Sequence, residues 1–532
     1  MLLTRFSALA VAIITMIVSG YYLPHVWAIP MFIVAAALTF VGLYDLTQPV
    51  HSVRRNYPII GHLRWFFEEI RPEIRQYMIE GDQDKTPFSR SQRSLVYARA
   101  KDEVSDRAFG TLLDVYENGY EFIAHSVRSA PPTDPAKFRL RIGGESCTQP
   151  YSSSILNISA ISFGSLSANA IRALNKGAAL GGFAHDTGEG SISPYHREAG
   201  GDLIWEIGSG YFGCRTADGN FDPIQFEKQA RNAQVKMIEV KLSQGAKPGH
   251  GGILPAEKVT PEISQTRGVP TGEDCISPAR HRAFSTPLEF THFLSELRRL
   301  SGGKPVGFKL CVGQPWEFMG IVKAMRESGV LPDFIVVDGA EGGTGASPAE
   351  FIDHLGMPLR EGLLFVHNTL VGAGLRNRIR VGAAGKIVSA FDIAATLALG
   401  ADWTNAGRGF MFALGCIQSL TCHTNRCPVG VATQDPLRQR ALVVPDKAER
   451  VANFHRNTLL ALSDMLAAAG LAQPSMIGPH HLVRRVSPTE VRMFSQLHTF
   501  LEDGDLLRKR PEQDFYSAAW SLARADSFSI GQ

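Results

Sequence analysis

The sequence has little excess charge of either sign and few cysteines. Its 54 lysines and arginines stand against 51 aspartates and glutamates, a formal net charge of +3. No clustered basic stripe follows the pattern of a nucleic-acid surface, so we expect no nucleic acid as a partner. The 7 cysteines among 532 residues are too scattered for a disulfide framework, which favours a reducing compartment. A Gly-x-Gly-x-x-Gly fingerprint opening a βαβ unit is also missing, so the sequence indicates no nicotinamide domain.

Three of the cysteines nevertheless lie close together in the sequence. Cys416, Cys422 and Cys427 fall in one short segment, and Pro428 follows the last of them. Short spacings let one loop present several sulfurs to a single metal centre, and iron binds thiolates well. Three cysteines without an obvious fourth fit a three-iron cluster. A zinc site completed by His423 and reduced thiols without a metal are the alternatives.

Residues 416–434 read Cys-x5-Cys-His-x-Asn-x-Cys-Pro-Val-Gly-Val-Ala-Thr-Gln and resemble the cluster segment of the glutamate synthases. The resemblance covers roughly residues 150–440, including Lys-x-x-Gln-Gly-Ala-Lys-Pro-Gly at 241–249 and Gly-Gly-Thr-Gly-Ala-Ser at 342–347. It implies that the three cysteines bind a [3Fe-4S] cluster beside FMN.

Short β-rich runs alternate with helical runs from Ile158 onward, which predicts a (β/α)8 TIM barrel. A doubly wound sheet is the alternative, because strand order cannot be read from a sequence. The predicted strands are 158–164, 183–190, 205–213, 235–244, 304–313, 333–343, 378–385 and 402–409. The predicted helices between or after them include 167–180, 316–328, 390–399 and 411–414.

Glycine and charge gather at the carboxyl ends of these strands, where barrel enzymes have their active sites. The loops after strands seven and eight predict a phosphate-bearing cofactor, because glycine lets backbone N–H groups approach a phosphate; the resemblance favours FMN. Lys309 lies in an otherwise apolar strand, and contact with the flavin ring would satisfy its charge. The predicted cofactor residues are Ser162, Gly164, Lys309, Gly343, Gly382, Gly385, Gly407 and Arg408.

Two lysines, Lys241 and Lys247, flank the end of strand four beside a glycine-rich loop. Two ammonium groups suit a dicarboxylate or the charge of a reduced flavin, and Arg267 could clamp a carboxylate in a fork. Solvent-exposed lysines are the structural alternative. The resemblance implies that these three cations hold 2-oxoglutarate. It also implies that Glu189 orients ammonia or an imine, or moves a proton, although a structural hydrogen bond would also explain Glu189.

The N-terminus contains two uncharged apolar runs, residues 6–23 and 26–43. Each approaches the length needed to span a bilayer, and Arg5, Arg54 and Arg55 lie outside them. These arginines predict a two-pass hairpin with both ends and the catalytic domain in the cytoplasm. A signal peptide would explain only the first run, and a buried helical hairpin is the other alternative.

The predicted organisation is a transmembrane hairpin at 1–50, a helical segment packing on the barrel at 51–130, the FMN and iron–sulfur barrel at 131–443, and a helical extension at 444–532. Two segments depart from the resemblance. The family usually has Pro-Gly-Glu-Gly-Gly-Gln where this sequence has Pro-Gly-His250-Gly-Gly-Ile253, and an acidic residue near Gly382 is replaced in Val-Gly-Ala-Ala-Gly. The first departure concerns the choice of 2-oxo acid, and the second concerns flavin contacts.

Together these features predict a membrane-anchored oxidoreductase that aminates 2-oxoglutarate, or a related 2-oxo acid, to glutamate. No glutaminase domain is recognisable, so the nitrogen is expected from free ammonia or a glutaminase partner. The electrons are expected from ferredoxin or another redox partner. The alternatives are a membrane-linked amino-acid dehydrogenase running oxidatively, a non-catalytic flavin and iron–sulfur electron carrier, and an FMN barrel that is cluster-free or structured by zinc.

Overall fold

A computed structural model describes residues 5–23, 25–81, 84, 87–508 and 514–530. The few other positions of the predicted segments 1–50, 51–130 and 444–532 lie outside the described residues. The chain divides into two compact units, Met1–Arg90 and Ser91–Gln532.

Two apolar helices begin the first unit, as predicted. They are Ser7–Tyr21, with 15 residues, and Ala28–Thr47, with 20 residues, and they pack against each other. Among the described residues, only Ala28–Thr47 is both long and apolar enough to cross a bilayer, and 22% of its most apolar 18-residue stretch is buried. This low burial is unlike the core helix of a soluble protein, which is mostly buried. A signal sequence near an N-terminus, however, can be equally long and apolar. The two-pass hairpin therefore stays a prediction.

The segment after these helices is helical only in its first part. Asp45, which is 0% exposed, anchors it by accepting the N–H of Ile59 at 3.0 Å and pairing with His62 Nε2 at 2.9 Å. The helices are Ser52–Asn56, Gly61–Ile74, a π-helical turn at Arg75–Ile79, and Arg90–Lys101. The prediction of a helical segment throughout 51–130 is wrong beyond residue 101, because the described chain there is irregular and ends in the strand Glu121–Ile123.

The second unit contains a closed barrel of eight parallel strands, each paired with the next in sequence and the last with the first. This confirms the predicted (β/α)8 barrel and excludes the doubly wound sheet. The strands are β1 Leu156–Ile158, β2 His185–Asp186, β3 Leu203–Ile207, β4 Val235–Lys241, β5 Val306–Leu310, β6 Phe334–Asp338, β7 Arg380–Ala384 and β8 Trp403–Ala406. Every predicted strand overlaps one of them, but the predicted ranges run on into the glycine-rich loops, which follow the strands instead of belonging to them.

The helices around the barrel start at capping residues that the sequence supplies. Ser167, Asp222, Thr286 and Ser389 each accept a backbone N–H from the first turn of the following helix. The main helices of the barrel are Ala168–Gly181, Pro194–Arg197, Pro223–Ala230, Pro287–Leu300, Pro315–Ser328, Ala349–His354, Leu359–Gly372, Ala390–Ala398 and Arg408–Leu414. Between β4 and Pro287–Leu300 an additional segment carries the strand pair Ile253–Leu254 and Cys275–Ile276 and the helix Pro261–Arg267.

The C-terminal segment closes the unit with both helix and sheet. The helix Val444–Ala468 packs against Ala168–Gly181, with Gly177 at the crossing, where a Cβ would overlap Val451. A three-stranded antiparallel sheet then joins Leu482–Ser487, Glu490–Met493 and the early strand Glu121–Ile123. The predicted all-helical extension at 444–532 is therefore wrong, because alternation in short strands gives a weaker pattern than the long helix.

Candidate active site

The four residues predicted to act on the substrate meet at the carboxyl ends of the barrel strands. Glu189 follows β2, Lys241 is the last residue of β4, and Lys247 lies in the loop after β4. Arg267 ends the helix Pro261–Arg267 in the additional segment. All three cations are close enough to act on the charge of Glu189. The fold thus places together residues that the sequence keeps far apart.

An ion pair between Glu189 and Lys241 forms the centre of this site. Glu189 Oε2 lies 3.1 Å from Lys241 Nζ, and the two side chains are 15% and 10% exposed. Lys241 also donates to Gln244 Oε1 at 2.6 Å. Two glycines wall the carboxylate: a Cβ at Gly208 would lie 2.7 Å from Glu189 Oε2, and one at Gly252 would overlap Oε1. The carboxylate position therefore requires glycine in both neighbouring loops.

The charges of the site leave a positive excess. Burial alone would raise the pKa of Glu189, but Lys241 above all, then Arg267 and Lys247, lower it below the ordinary value. Lys247 is 3% exposed, and burial lowers the pKa of its ammonium group against the opposing effect of Glu189. The three cations outnumber Glu189 by two positive charges in a largely buried space, and the further acid near Lys241 is Asp338, whose pKa burial raises. Such an excess is costly unless an anion enters.

Arg267 lies against the loop after β1. Its side chain is 4% exposed, and Nη2 donates to Phe163 O at 3.0 Å and to Ser162 Oγ at 3.3 Å. Gly164 has a φ of 104°, and a Cβ there would lie 3.1 Å from Arg267 Nη2. Two of the predicted cofactor residues, Ser162 and Gly164, therefore touch the guanidinium group. Its predicted role as a carboxylate clamp stays a prediction.

Lys309 belongs to a buried cluster inside the barrel. The carboxylates of Asp186, Glu206 and Glu239 lie within 4.8 Å of one another. Lys309 Nζ contacts Glu206 directly and lies 3.8 Å from Glu239. The lysine therefore has protein partners, and its burial alone does not require a flavin. Its contact with the flavin stays a prediction that this structure neither needs nor contradicts.

The cluster holds more carboxylates than cations, so protons must be retained. Burial, and then the charge of Glu206, raise the pKa of Asp186 to about 7. Burial, with Asp186 next, also raises the pKa of Glu239 well above its ordinary value. Burial alone would lower the pKa of Lys309, but Glu206 and Glu239 raise it well above normal. Lys309 is therefore ionised, and at neutral pH the neighbouring acids share at least one proton.

We expect this retained proton to make the unfolding free energy fall as pH rises from about 4 to about 7. In that range the folded state keeps a proton on Asp186 that the unfolded chain has released, so the slope is negative and reaches about 1.4 kcal/mol per pH unit. The substitution Asp186→Asn should make this slope of the unfolding free energy against pH less negative. Urea unfolding in detergent across this range measures the slope, and exposed Asp218→Asn, the control, should keep it. An unchanged slope in Asp186→Asn would contradict the assignment.

The predicted phosphate residues form a second group at the same barrel end. Gly385 and Gly407 directly follow β7 and β8, and Arg408 Nη2 donates to Glu341 O at 2.7 Å. A Cβ at Gly343 would lie 3.1 Å from the Arg408 guanidinium, and one at Gly385 would lie 3.4 Å from Glu341 Cδ. These four predicted residues therefore share one neighbourhood around Glu341.

Gly382 has a different structural role, and a second cation joins the group. Gly382 lies within β7, where a Cβ would overlap the indole of buried Trp403, so strand packing explains its glycine. Lys386, which the sequence analysis did not single out, adopts a φ of 48° after Gly385. Burial and then the charge of Arg408 lower the pKa of Lys386. Lys386 and Arg408 are close enough to act on each other's charge, and Glu341 acts on both. Two cations near the ends of β7 and β8 favour a phosphate there.

The three predicted metal ligands lie on one constrained loop after the helix Arg408–Leu414. The backbone is left-handed at three non-glycine residues, Gln418 (φ 59°), Leu420 (φ 58°) and Asn425 (φ 57°). Each such residue costs about 1 kcal/mol or more of conformational free energy, and residues strained in this way cluster at functional sites. Tyr97 fixes the start of the loop by donating to Cys416 O at 2.6 Å. The loop geometry is thus imposed by the surrounding structure.

The three sulfurs are near one another but do not form a closed zinc site among the described residues. Cys416, Cys422 and Cys427 act on one another's charge. Within the described chain, however, no three of these cysteines and His423 place their ligand atoms within 4.8 Å of one another. Thiolates around one zinc ion lie about 3.8 Å apart, because each Zn–S bond is about 2.3 Å long. The Gln418 N–H is directed at Cys416 Sγ at 3.5 Å, and the iron–sulfur cluster stays a prediction beside the zinc alternative.

His281 is a further site residue that sequence reasoning missed. Its Nε2 lies 2.8 Å from Lys241 O and its Nδ1 lies 3.1 Å from the Tyr211 hydroxyl. Burial lowers the pKa of His281 to about 4, so the ring is neutral at pH 7. It supports the end of β4 that carries Lys241. Neither spacing nor composition connects these residues in the sequence, so only the fold could show the contact.

Comparison with known proteins gives consistent matches. The family model described as the conserved region in glutamate synthase matches residues 135–472. The glutamate synthase large subunit-like protein YerD of Bacillus subtilis is 37% identical over 89% of this chain and 97% of its own length. The archaeal-type glutamate synthase [NADPH] of Thermotoga neapolitana is 34% identical over 63% of this chain and 63% of its own length.

Among solved structures, a doubly substituted flavocytochrome b2 with pyruvate bound covers 88% of this chain and 95% of its own. The identity is 12% and the TM-score 0.41. The barrel assignment rests on the strand pairing described above and not on this likeness.

Proposed function

Because the chain belongs to the glutamate synthase family, we propose that it reductively aminates 2-oxoglutarate to glutamate at the carboxyl ends of its barrel strands. The observation that carries this proposal is the excess of two positive charges at Glu189, Lys241, Lys247 and Arg267. A dicarboxylate neutralises that excess, whereas a monocarboxylate would leave a buried charge uncompensated. The match covers 63% of the archaeal-type relatives, so their complete activity is part of the proposal.

The residues of the site divide the reaction among them. Lys247 and Arg267 bind the substrate carboxylates, and Lys241 binds next to the oxo group while it fixes Glu189. Glu189 is ionised at neutral pH because its pKa is lowered, so it can accept hydrogen bonds from ammonia or the imine and orient them. The close glycine walls at Gly208 and Gly252 exclude water around its oxygens. Addition of ammonia and loss of water give an imine, which two electrons and two protons reduce to the amine.

FMN, when bound, would supply the reducing equivalents for that carbon–nitrogen bond. The residues that would hold it are Gly343, Gly385, Lys386, Gly407 and Arg408. Their fit rests on the neighbouring cations Lys386 and Arg408 and on the open space at Gly407, where a Cβ would meet nothing closer than 3.7 Å. Ser162, Gly164 and Lys309 lie on neighbouring strand ends and complete the proposed flavin site.

A [3Fe-4S] cluster would be held by Cys416, Cys422 and Cys427 and would pass electrons singly to the flavin. The support is the shared loop that carries all three cysteines, the Tyr97 hydrogen bond that fixes its start and the N–H donor at Cys416 Sγ. The external electron source is a one-electron carrier such as ferredoxin. The nitrogen source is free ammonia or ammonia delivered by a glutaminase partner.

The helices Ser7–Tyr21 and Ala28–Thr47 would anchor the protein as a two-pass membrane hairpin with the catalytic unit in the cytoplasm. The support is the exposed apolar surface of Ala28–Thr47. Only 22% of the most apolar 18-residue stretch of this helix is buried. Arg54 and Arg55, which follow in Ser52–Asn56, suit the cytoplasmic side.

One purification tests these proposals together. The full chain should remain with membranes after alkaline washing and, in detergent, show flavin absorbance and an iron–sulfur EPR signal. Titration with 2-oxoglutarate should perturb the flavin spectrum, and pyruvate, the monocarboxylate control, should do so only at concentrations at least tenfold higher. A protein without flavin would overturn the proposed reaction, and equal affinity for both acids would overturn the proposed substrate.

A further inference from the structure

Lys258 is a buried lysine without a carboxylate partner in the described part of the chain. It is 2% exposed and ends the short 3-10 helix Ala256–Lys258. Its Nζ donates to Ser165 O at 3.3 Å and to Ala432 O at 3.1 Å. Both acceptors are neutral carbonyls. An ammonium group removed from water needs more compensation than neutral dipoles supply.

The groups whose charge acts on Lys258 are the thiols of Cys422 and Cys427. Protonated thiols carry no charge and would not compensate the ammonium group. Metal-bound thiolates are anionic, and the sulfides of a cluster add further negative charge. The position of Lys258 therefore makes sense when the cysteine loop holds an anionic centre.

Lys304 shows what a buried lysine looks like when the protein itself supplies the compensation. It is 5% exposed and donates to Ala230 O and Asn232 O, both at 2.6 Å. Ala230 ends the helix Pro223–Ala230, whose terminal carbonyls carry a partial negative charge. The acceptors of Lys258 lie in loops after β1 and after the cysteines and not at a helix end. The negative charge that compensates Lys258 must therefore come from the cysteine loop.

We infer that Lys258 is the fixed counter-charge of an iron–sulfur cluster on Cys416, Cys422 and Cys427 and raises its reduction potential. This inference rests on the cluster in the proposed function. One-electron reduction by an external carrier adds one negative charge to the cluster and moves no proton in the balance. A cation held nearby in a poorly solvated site stabilises the reduced form more than the oxidised form. Lys258 is in this sense a positioning residue for charge, not a catalytic residue.

The test compares full-length wild type with Lys258→Met, Lys258→Arg and Lys304→Met, each purified without oxygen in detergent. Iron and sulfide per chain are measured first, and the reduction midpoint is then followed by EPR. In Lys258→Met the equilibrium constant for reduction should fall at least tenfold, or about 59 mV for one electron. Lys258→Arg keeps the charge, and Lys304→Met removes an equally buried lysine elsewhere. Both should stay within threefold of wild type.

The remaining outcomes also decide the question. Loss of iron from Lys258→Met, with iron retained in Lys258→Arg and Lys304→Met, would support the inference, because only the charge near the cysteines differs. An unchanged midpoint in Lys258→Met would overturn it, as would loss of iron from both Lys258 variants, which would indicate packing. Wild-type protein without iron would instead remove the proposed cluster, so the two failures are distinguishable.

Discussion

Replacing Lys241 by methionine should lower kcat/KM for 2-oxoglutarate by about 10²- to 10³-fold. The change leaves Glu189 buried without its partner at 3.1 Å and removes a cation from the substrate. Breaking a buried pair typically costs about 3–5 kcal/mol, and about 1.4 kcal/mol corresponds to a tenfold change in rate. Steady-state assays with a saturating electron donor and ammonia measure the effect.

The same variant should change the dependence of the rate on pH. Lys241 is the strongest of the cations that lower the pKa of Glu189, so its loss should raise that pKa and move the acid limb of the profile to higher pH. Lys236→Met is the matched control, because Lys236 lies on β4 at the opposite barrel end and pairs with Asp202 at 3.6 Å. Equal losses in both variants would show damage to the strand, and a Lys241→Met enzyme within threefold of wild type would contradict the substrate assignment.

Replacing Cys422 by alanine should remove the iron and lower turnover with a one-electron donor at least about 100-fold. The two remaining cysteines are too few to retain the cluster. Flavin content should stay near wild type, since the flavin residues lie on other strand ends. Iron analysis, EPR and ferredoxin-dependent assays measure these quantities.

Cys147→Ala is the control for this experiment. Cys147 is a partly buried free thiol that donates to Gly303 O at 3.3 Å, away from the cysteine loop. The Cys147→Ala variant should keep its iron and its activity. Full iron content in Cys422→Ala would show that Cys422 is not a ligand, and zinc in the wild-type protein would favour the alternative centre.

The number of strands and their places in the sequence could be predicted, because each strand is a short apolar run that ends in glycine or charge, but their order in the sheet could not. The exact strand ends could not be predicted either, because Gly190, Gly213 and Gly343 continue β-like patterns into loops whose conformation is set by side chains from elsewhere in the fold. Arg267, for example, holds the loop after β1 through Phe163 O at 3.0 Å. The final sheet was missed for a similar reason, since Glu121–Ile123 finds its partner Leu482–Ser487 only in the fold.

The structural roles of two predicted cofactor residues also depended on contacts that only the fold creates. Gly382 was predicted to face a phosphate, yet the indole of Trp403 from the neighbouring strand explains it. Lys309 was predicted to need a flavin, yet Glu206 and Glu239 from two other strands pair with it. In both cases the partner comes from a strand that the sequence places far away, so no local pattern could reveal it.

The sequence by itself determined the eight β/α repeats, the resemblance to the family and the identity of the residues at the strand ends, because periodicity, capping and motif spacing are local properties of the chain, whereas strand pairing closed the barrel. Only the tertiary structure decided which of these residues share a site and which charges remain uncompensated. Closing the barrel puts Glu189 between Lys241, Lys247 and Arg267 and leaves Lys258 facing two thiols. Electrostatic energy depends on distance and burial, and both quantities exist only once the chain is folded.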